Sequence, residues 1–170
     1  LLVQHQDSLK NLHLLQLQVS DVVPEIQAEY NFMVDQMSRN NYPASEVVIA
    51  KNQVFIAERM MRSLININAN NKEAKNGLDD LSADLEIFNT YLKAQLEGST
   101  DFGVKKIKDK ELREALITIQ HETDEVLNKQ AMPLLSKSQL LYSLLDAAKD
   151  NISRSENLFE RLLWLESISN

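Results

Sequence analysis

The chain has 170 residues, 18 basic against 25 acidic, a formal net charge of −7, and no cysteine. That balance argues against a nucleic-acid surface, which needs a basic face to displace counterions from phosphates. It also excludes disulfide frameworks, thiolate nucleophiles and cysteine zinc sites. Only three glycines and three prolines are present, about 4% of the chain where average usage is roughly 12%, so hairpin-rich and doubly wound folds are disfavoured. The chain opens Leu1-Leu2 and reads as a piece of a longer protein, without a run of apolar residues long enough to span a bilayer.

Taken in chain order, the first segment, about Val3 to Arg39, places Leu12, Leu15, Val19, Val22, Ile26, Tyr30, Met33 and Met37 at alternating steps of three and four. That is the period of a buried helical stripe. Pro24 inside it predicts a kink or a division into two helices. After Asn40, Asn41 and Pro43, with Ser45 as expected N-cap, a second helix carries Val47, Ala50, Val54, Ala57, Met61, Leu64 and Asn68. The Asn-rich run 66–71 separates it from a third, with Ala74, Leu78, Leu81, Leu85, Phe88, Leu92 and Leu96, ending at Gly98 as a C′ glycine. A fourth helix holds Leu112, Leu116, Ile119, Thr123 and Val126. A fifth, after Pro133, holds Leu141, Leu145, Ala148, Ile152, Ser155, Phe159 and Leu162.

The fold class is therefore all-α. The expectation is an antiparallel up-down four-helix bundle over 45–170 with an additional long N-terminal helix, 1–44, belonging to a preceding module. Sliding the last helix onto the first by 132 positions pairs Ile26 with Leu158, Tyr30 with Leu162 and Met33 with Leu165. A true repeat gives such agreement, and so do two unrelated heptad-like helices.

Nothing in the spacing marks an enzyme, a metal centre or a cofactor site. None of the histidines, His5, His13 and His121, follows a Glu by three positions, so the Glu-x-x-His pairs of di-metal bundles are missing. His121 and Glu125 read as an exposed ion pair, since a metal needs three or four convergent ligands. Gly98 to Lys105 lacks the register and the preceding strand of a phosphate-binding loop and reads as a helix-helix connection. Asp79, Asp80 and Asp84 read as a solvated face. Asn151-Ile152-Ser153 matches a glycosylation sequon, with Ile152 placed on a core stripe.

The segment with most chemical content is Val54 to Ile65. Phe55, Arg59, Arg62 and Asn66 fall on a different face from the bundle stripe. Two arginines beside a phenylalanine suit an anion, through the planar guanidinium fork, or a face self-complementary in a dimer. A solvated basic spot is the plainer alternative.

Here the run Ala57-Glu58-Arg59-Met60-Met61-Arg62-Ser63-Leu64 resembles the Arg-containing first helix of the sensor module shared by PilJ-type methyl-accepting receptors of type IV pilus systems and NarX-type nitrate/nitrite sensor kinases. The resemblance extends through Phe88, Leu92, Glu97-Gly98, Leu116, Val126, Leu127 and Gln130 to the last helix, covering about residues 46–170. In nitrate sensors the motif's first Arg, here Arg59, grips the anion between two subunits. The Ala-Gly pair of that motif is absent and its second Arg position is Leu64, which favours the PilJ side. The resemblance implies the periplasmic part of an inner-membrane chemoreceptor controlling type IV pilus function and twitching motility, signalling by helix displacement. It further implies transmembrane helices outside this sequence, a homodimer and pilin as a partner, and gives Arg59 the ligand role, while the spacing adds Arg62 and Phe55 to the ligand or dimer face. Arg62 lies on a different helical face from the missing second arginine and does not replace it. The alternative is an anion-sensing domain feeding a histidine kinase. A structural scaffold is a third reading, disfavoured by a module length of about 130 residues, longer than a three-helical spectrin-like repeat.

Overall fold

A computed structural model describes residues 2–67 and 71–169, and its regular structure is helical, with one isolated bridge between Ser99 and Val104. The helices are α1 (Leu2–Arg39), α2 (Ala44–Asn66), α3 (Asn71–Glu97), α4 (Lys110–Glu122), a π-helix (Thr123–Ala131) and α5 (Met132–Ser169). Asn68 lies outside the described residues, as do the side chains of Ala74 and Leu141.

α1 runs without interruption for 38 residues, about 57 Å at 1.5 Å per residue. Pro24 does not divide it. The ring is exposed, so the carbonyl left without an N–H partner faces water and the helix keeps its course. Asn41, at φ 56°, turns the chain after α1, and Tyr42 donates its N–H to the Met37 carbonyl at 3.0 Å. α2 then begins at Ala44 with Pro43 as its cap, not Ser45. The extended Pro43 backbone (φ −52°, ψ 138°) sets the start, and its carbonyl accepts from Glu46 and Val47. α3 ends at Glu97, and Gly98 follows at φ +84° as expected of a C′ residue. A Cβ there would stand 3.3 Å from the Lys106 nitrogen, so glycine is required twice over.

Cross-helix hydrogen bonds fix the relative directions. Gln16 reaches the Leu64 carbonyl and Gln27 the Val54 carbonyl, so α1 and α2 run oppositely. Gln53 bonds the Phe88 carbonyl and Arg59 bonds Asp84, so α2 and α3 do too. Asn89 meets Asn128, Asp79 meets Gln139 and Lys75 meets Asp146, which sets α3 against the segment after it.

Two expectations change. First, helix 1–44 is not additional to the packing. Leu15, Val19, Val23, Ile26, Tyr30, Met33 and Met37 are buried in one cluster with α2, α3, α4 and the π-helix, because α1 supplies the long apolar face that covers α2. Second, segments four and five do not turn back on each other. α4, the π-helix and the start of α5 follow in succession without an intervening loop. Pro133 does not end the helix. It sits at the second position of α5, just beyond a π turn in which Met132 donates to the Leu127 carbonyl five residues back, and that wider turn absorbs the geometry a proline disturbs.

The third consequence concerns α5. Of its expected stripe, Leu145, Ala148, Ile152, Ser155, Phe159 and Leu162 are all exposed, as is every residue from Ser143 to Ser169. The described neighbours end near Asp146, opposite Lys75. Beyond that level α5 has nothing to pack on among the described residues, although Trp164 is 64% exposed and leucines surround it.

Candidate ligand-binding face

α2 is apolar on two adjacent strips, and the core takes Ala50, Gln53, Ile56, Ala57, Met60 and Leu64. Val47, Val54 and Met61, expected in the core, lie half-buried at its edge. Phe55, 62% exposed, Arg59 and Arg62 are left outside.

The structure brings two of these three together. Phe55 and Arg59, with Ile49, Asn52, Ile56 and Tyr91, line a cleft of about 290 Å³ between α2 and α3. Arg62 does not line it and instead pairs with Glu58 one turn back at 3.3 Å, both side chains exposed. Arg59 donates through one Nη to Asp84 Oδ1 at 3.0 Å, with the arginine side chain 54% exposed and the aspartate 14%. Asp84 is thus a half-buried partner of Arg59 and not part of a solvated face. The Tyr91 ring packs on Phe102 from the α3–α4 loop, centroids 5.6 Å apart.

Sequence reasoning missed Asn52, Tyr91 and Asp84. Asn52 stands three residues before Phe55 and seven before Arg59, on the same helical face, so the spacing contains it. Tyr91 and Asp84 come from another helix, and only the α2–α3 register brings them in.

Deeper in the molecule, α1, α2 and α3 share a polar layer. The Tyr30 hydroxyl donates to Gln95 Oε1 at 2.8 Å and accepts from Gln53 Nε2 at 3.2 Å. Gln53 also donates to the Phe88 carbonyl at 2.9 Å. Burial pushes the Tyr30 phenol well above its usual pKa, against a smaller opposing effect of the Gln53 hydrogen bond. The Phe88 ring meets Tyr30 edge-on at 5.9 Å. Gln53 Oε1 and Gln95 Nε2 are buried there without protein partners.

Where α4 meets the π-helix, Glu122 faces Glu25 and Glu29 of α1. Partial burial raises its pKa first, then the charge of Glu25 and a hydrogen bond with it, then Glu29, while His121 opposes. Glu125 does not bind His121 as a pair. It bonds Lys129, which holds its carboxyl below the usual range. Among the described residues no three metal-ligating side chains converge, and no helix is long and apolar enough to cross a membrane.

No family model matches the chain. Over 156 residues, 92% of the chain, it is 26% identical to PilJ of Pseudomonas aeruginosa. The chain is similar to PilJ-type chemotaxis receptors. A second relative, AlkN of Alcanivorax borkumensis, is named for methyl-accepting chemotaxis and is 23% identical over 159 residues, 94% of the chain. Both likenesses cover more than nine-tenths of the chain, so the resemblance read from the α2 motif is borne out beyond that motif. The chain spans about a quarter of each relative, 23% and 24% of their lengths.

Proposed function

We propose that this chain is the sensory domain of a transmembrane methyl-accepting chemoreceptor, held on the periplasmic side and governing type IV pilus function and twitching motility. The observation that carries the reading is the likeness to PilJ over 92% of the chain. In this reading α1, α2, α3 and the continuous α4–π-helix–α5 segment form an antiparallel up-down four-helix bundle, the intact receptor is a homodimer, pilin is among its partners, and transmembrane helices flank the domain. The domain senses and does not catalyse. Its signal is a displacement of α5 and the segment before it relative to α3, since packed helices take discrete arrangements that a stimulus can bias.

The chain contains no cysteine, so an engineered pair supplies the only thiols within this domain. Asn89 and Asn128 touch across α3 and the π-helix at 2.7 Å. With Asn89→Cys and Asn128→Cys in the full-length receptor, oxidation is expected to freeze downstream output and abolish stimulus-dependent twitching, and reduction to restore both. An oxidised, fully crosslinked receptor that still responds would sink the displacement mechanism. Normal twitching in cells lacking the receptor would sink the pilus assignment.

A further inference from the structure

The cleft between α2 and α3 has the chemistry of a small-ligand site. It is lined by the apolar Ile49, Phe55 and Ile56 and by three residues with polar side chains, Asn52, Tyr91 and Arg59. Among the described residues neither Asn52 nor Tyr91 has a hydrogen-bond partner for its side chain. Arg59 commits one nitrogen to Asp84, and a guanidinium carries five N–H donors in a fixed fork, so an edge of the fork remains open. The aromatic edge is held in place, because Phe102 backs Tyr91 and the loop carrying Phe102 is closed by the Ser99–Val104 pair at 2.8 and 2.9 Å.

From this we infer that the cleft binds a small organic carboxylate with an apolar body, the carboxylate on the free edge of Arg59 and the body against Phe55 and Ile49. The inference deepens the sensory reading by naming a ligand class, and rests on that reading only for its biological purpose. An inorganic anion would leave the aromatic and aliphatic walls unused. A neutral apolar molecule would leave the guanidinium edge and the Asn52 amide without partners. A volume of about 290 Å³ lies at the lower end of ligand pockets, which limits the body to roughly one ring or a short branched chain. Asp84 tunes the site. It neutralises part of the guanidinium charge, so affinity is held down while it is ionised.

Isothermal titration of phenylacetate into the 170-residue chain tests this, with nitrate and phenylacetamide as probes for charge and body separately. Saturable one-to-one binding is expected at a Kd of about 1 mM, the range open to a ligand of about ten heavy atoms on a half-open site. Both control probes are expected to bind at least about tenfold more weakly. Arg59→Gln is expected to weaken phenylacetate about tenfold, Asp84→Asn to tighten it about threefold by freeing the guanidinium, and Arg62→Gln, on another face, to change nothing. Phe55→Ala removes a mostly exposed ring and leaves the fold intact, and it too is expected to weaken binding. No saturable heat with phenylacetate overturns the inference. So does equal affinity for nitrate or phenylacetamide, or binding unmoved by Arg59→Gln and Phe55→Ala. None of these outcomes touches the chemoreceptor reading, which the Asn89–Asn128 crosslink tests on its own.

Discussion

Replacing Tyr30 by Phe removes one oxygen from the centre of the molecule and nothing else. The ring keeps its place against Phe88. The hydroxyl's bond to Gln95 Oε1 at 2.8 Å is lost, and that acceptor is left buried without a donor. Gln53 loses one of two bonds and keeps the Phe88 carbonyl. Stranding a buried acceptor costs about 1–3 kcal/mol, and the relief of no longer burying a hydroxyl offsets part of it, so a net loss of about 1–2 kcal/mol is expected. Urea unfolding followed by circular dichroism reads this directly. With a slope of about 2 kcal/mol/M for a chain of this size, the midpoint falls by about 0.5–1 M at unchanged slope. Adding Gln95→Leu removes the stranded acceptor, so the double variant should cost less than the two single changes together, by about 1 kcal/mol. A midpoint shift below about 0.1 M for Tyr30→Phe, or strict additivity with Gln95→Leu, would refute the reasoning that this layer is held by its hydrogen bonds.

Three further outcomes follow from other parts of the fold. Phe88→Ala, at a fully buried site, is expected to cost about 3–5 kcal/mol in the same urea assay, and a loss under about 1 kcal/mol would mean that the core collapses around the gap. Gly98→Ala forces a side chain to φ +84° and toward the Lys106 backbone, for an expected loss of about 1–2 kcal/mol measured as a lower melting temperature. Glu122 has a raised pKa, so its contribution is favourable while it is protonated and is lost as pH rises through its folded pKa. Glu122→Gln should therefore be more stable than the parent at neutral pH by about 0.5 kcal/mol after screening, with the gain vanishing as pH falls into the carboxylate range. A gain that stays constant or grows on acidification would contradict the sign.

The stripes of α1 and α3 were legible in the sequence except near Val22, where Val23 takes the inside and Val22, like Leu12, lies half-buried at the edge, because α1 also carries apolar residues such as Leu14 and Leu17 off the core face. Leu78, Leu81, Leu85, Phe88, Leu92 and Leu96 are all buried where the period put them. α2 was harder. Val47, Val54 and Met61 compete with Ile56 and Met60 for the inside, and the face that wins carries Gln53, a residue no apolar count would place at 0% exposure. Its burial becomes reasonable only once Tyr30 and the Phe88 carbonyl stand opposite, and they come from other helices. The same holds at the cleft. Phe55 and Arg59 share a face of α2, whereas Asp84 and Tyr91 enter through the α2–α3 register, which no single-helix periodicity contains.

α5 marks the boundary of what periodicity can say. An apolar stripe shows that a helix is amphipathic, not that anything lies against it: from Ser143 to Ser169 every residue is exposed, and Lys75, paired with Asp146, marks the last described neighbour. The continuity that the sequence concealed bears on what such a segment can do. Pro133 looked like a break, yet the backbone passes from Lys110 to Ser169 as α4, π-helix and α5 in succession, about 90 Å if counted at the α-helical rise. A helical segment of that kind is stiff along its axis, so a shift imposed where it packs on α1 and α3 is carried outward into the exposed part. The compliant place is the π-helix, where the hydrogen-bond ladder is already shifted from its α register and a return to α geometry would rotate and retract everything beyond it. Asn128 sits in that stretch, bonded to both Asp124 and Asn89, which makes the α3 contact the natural place to hold the π register or release it.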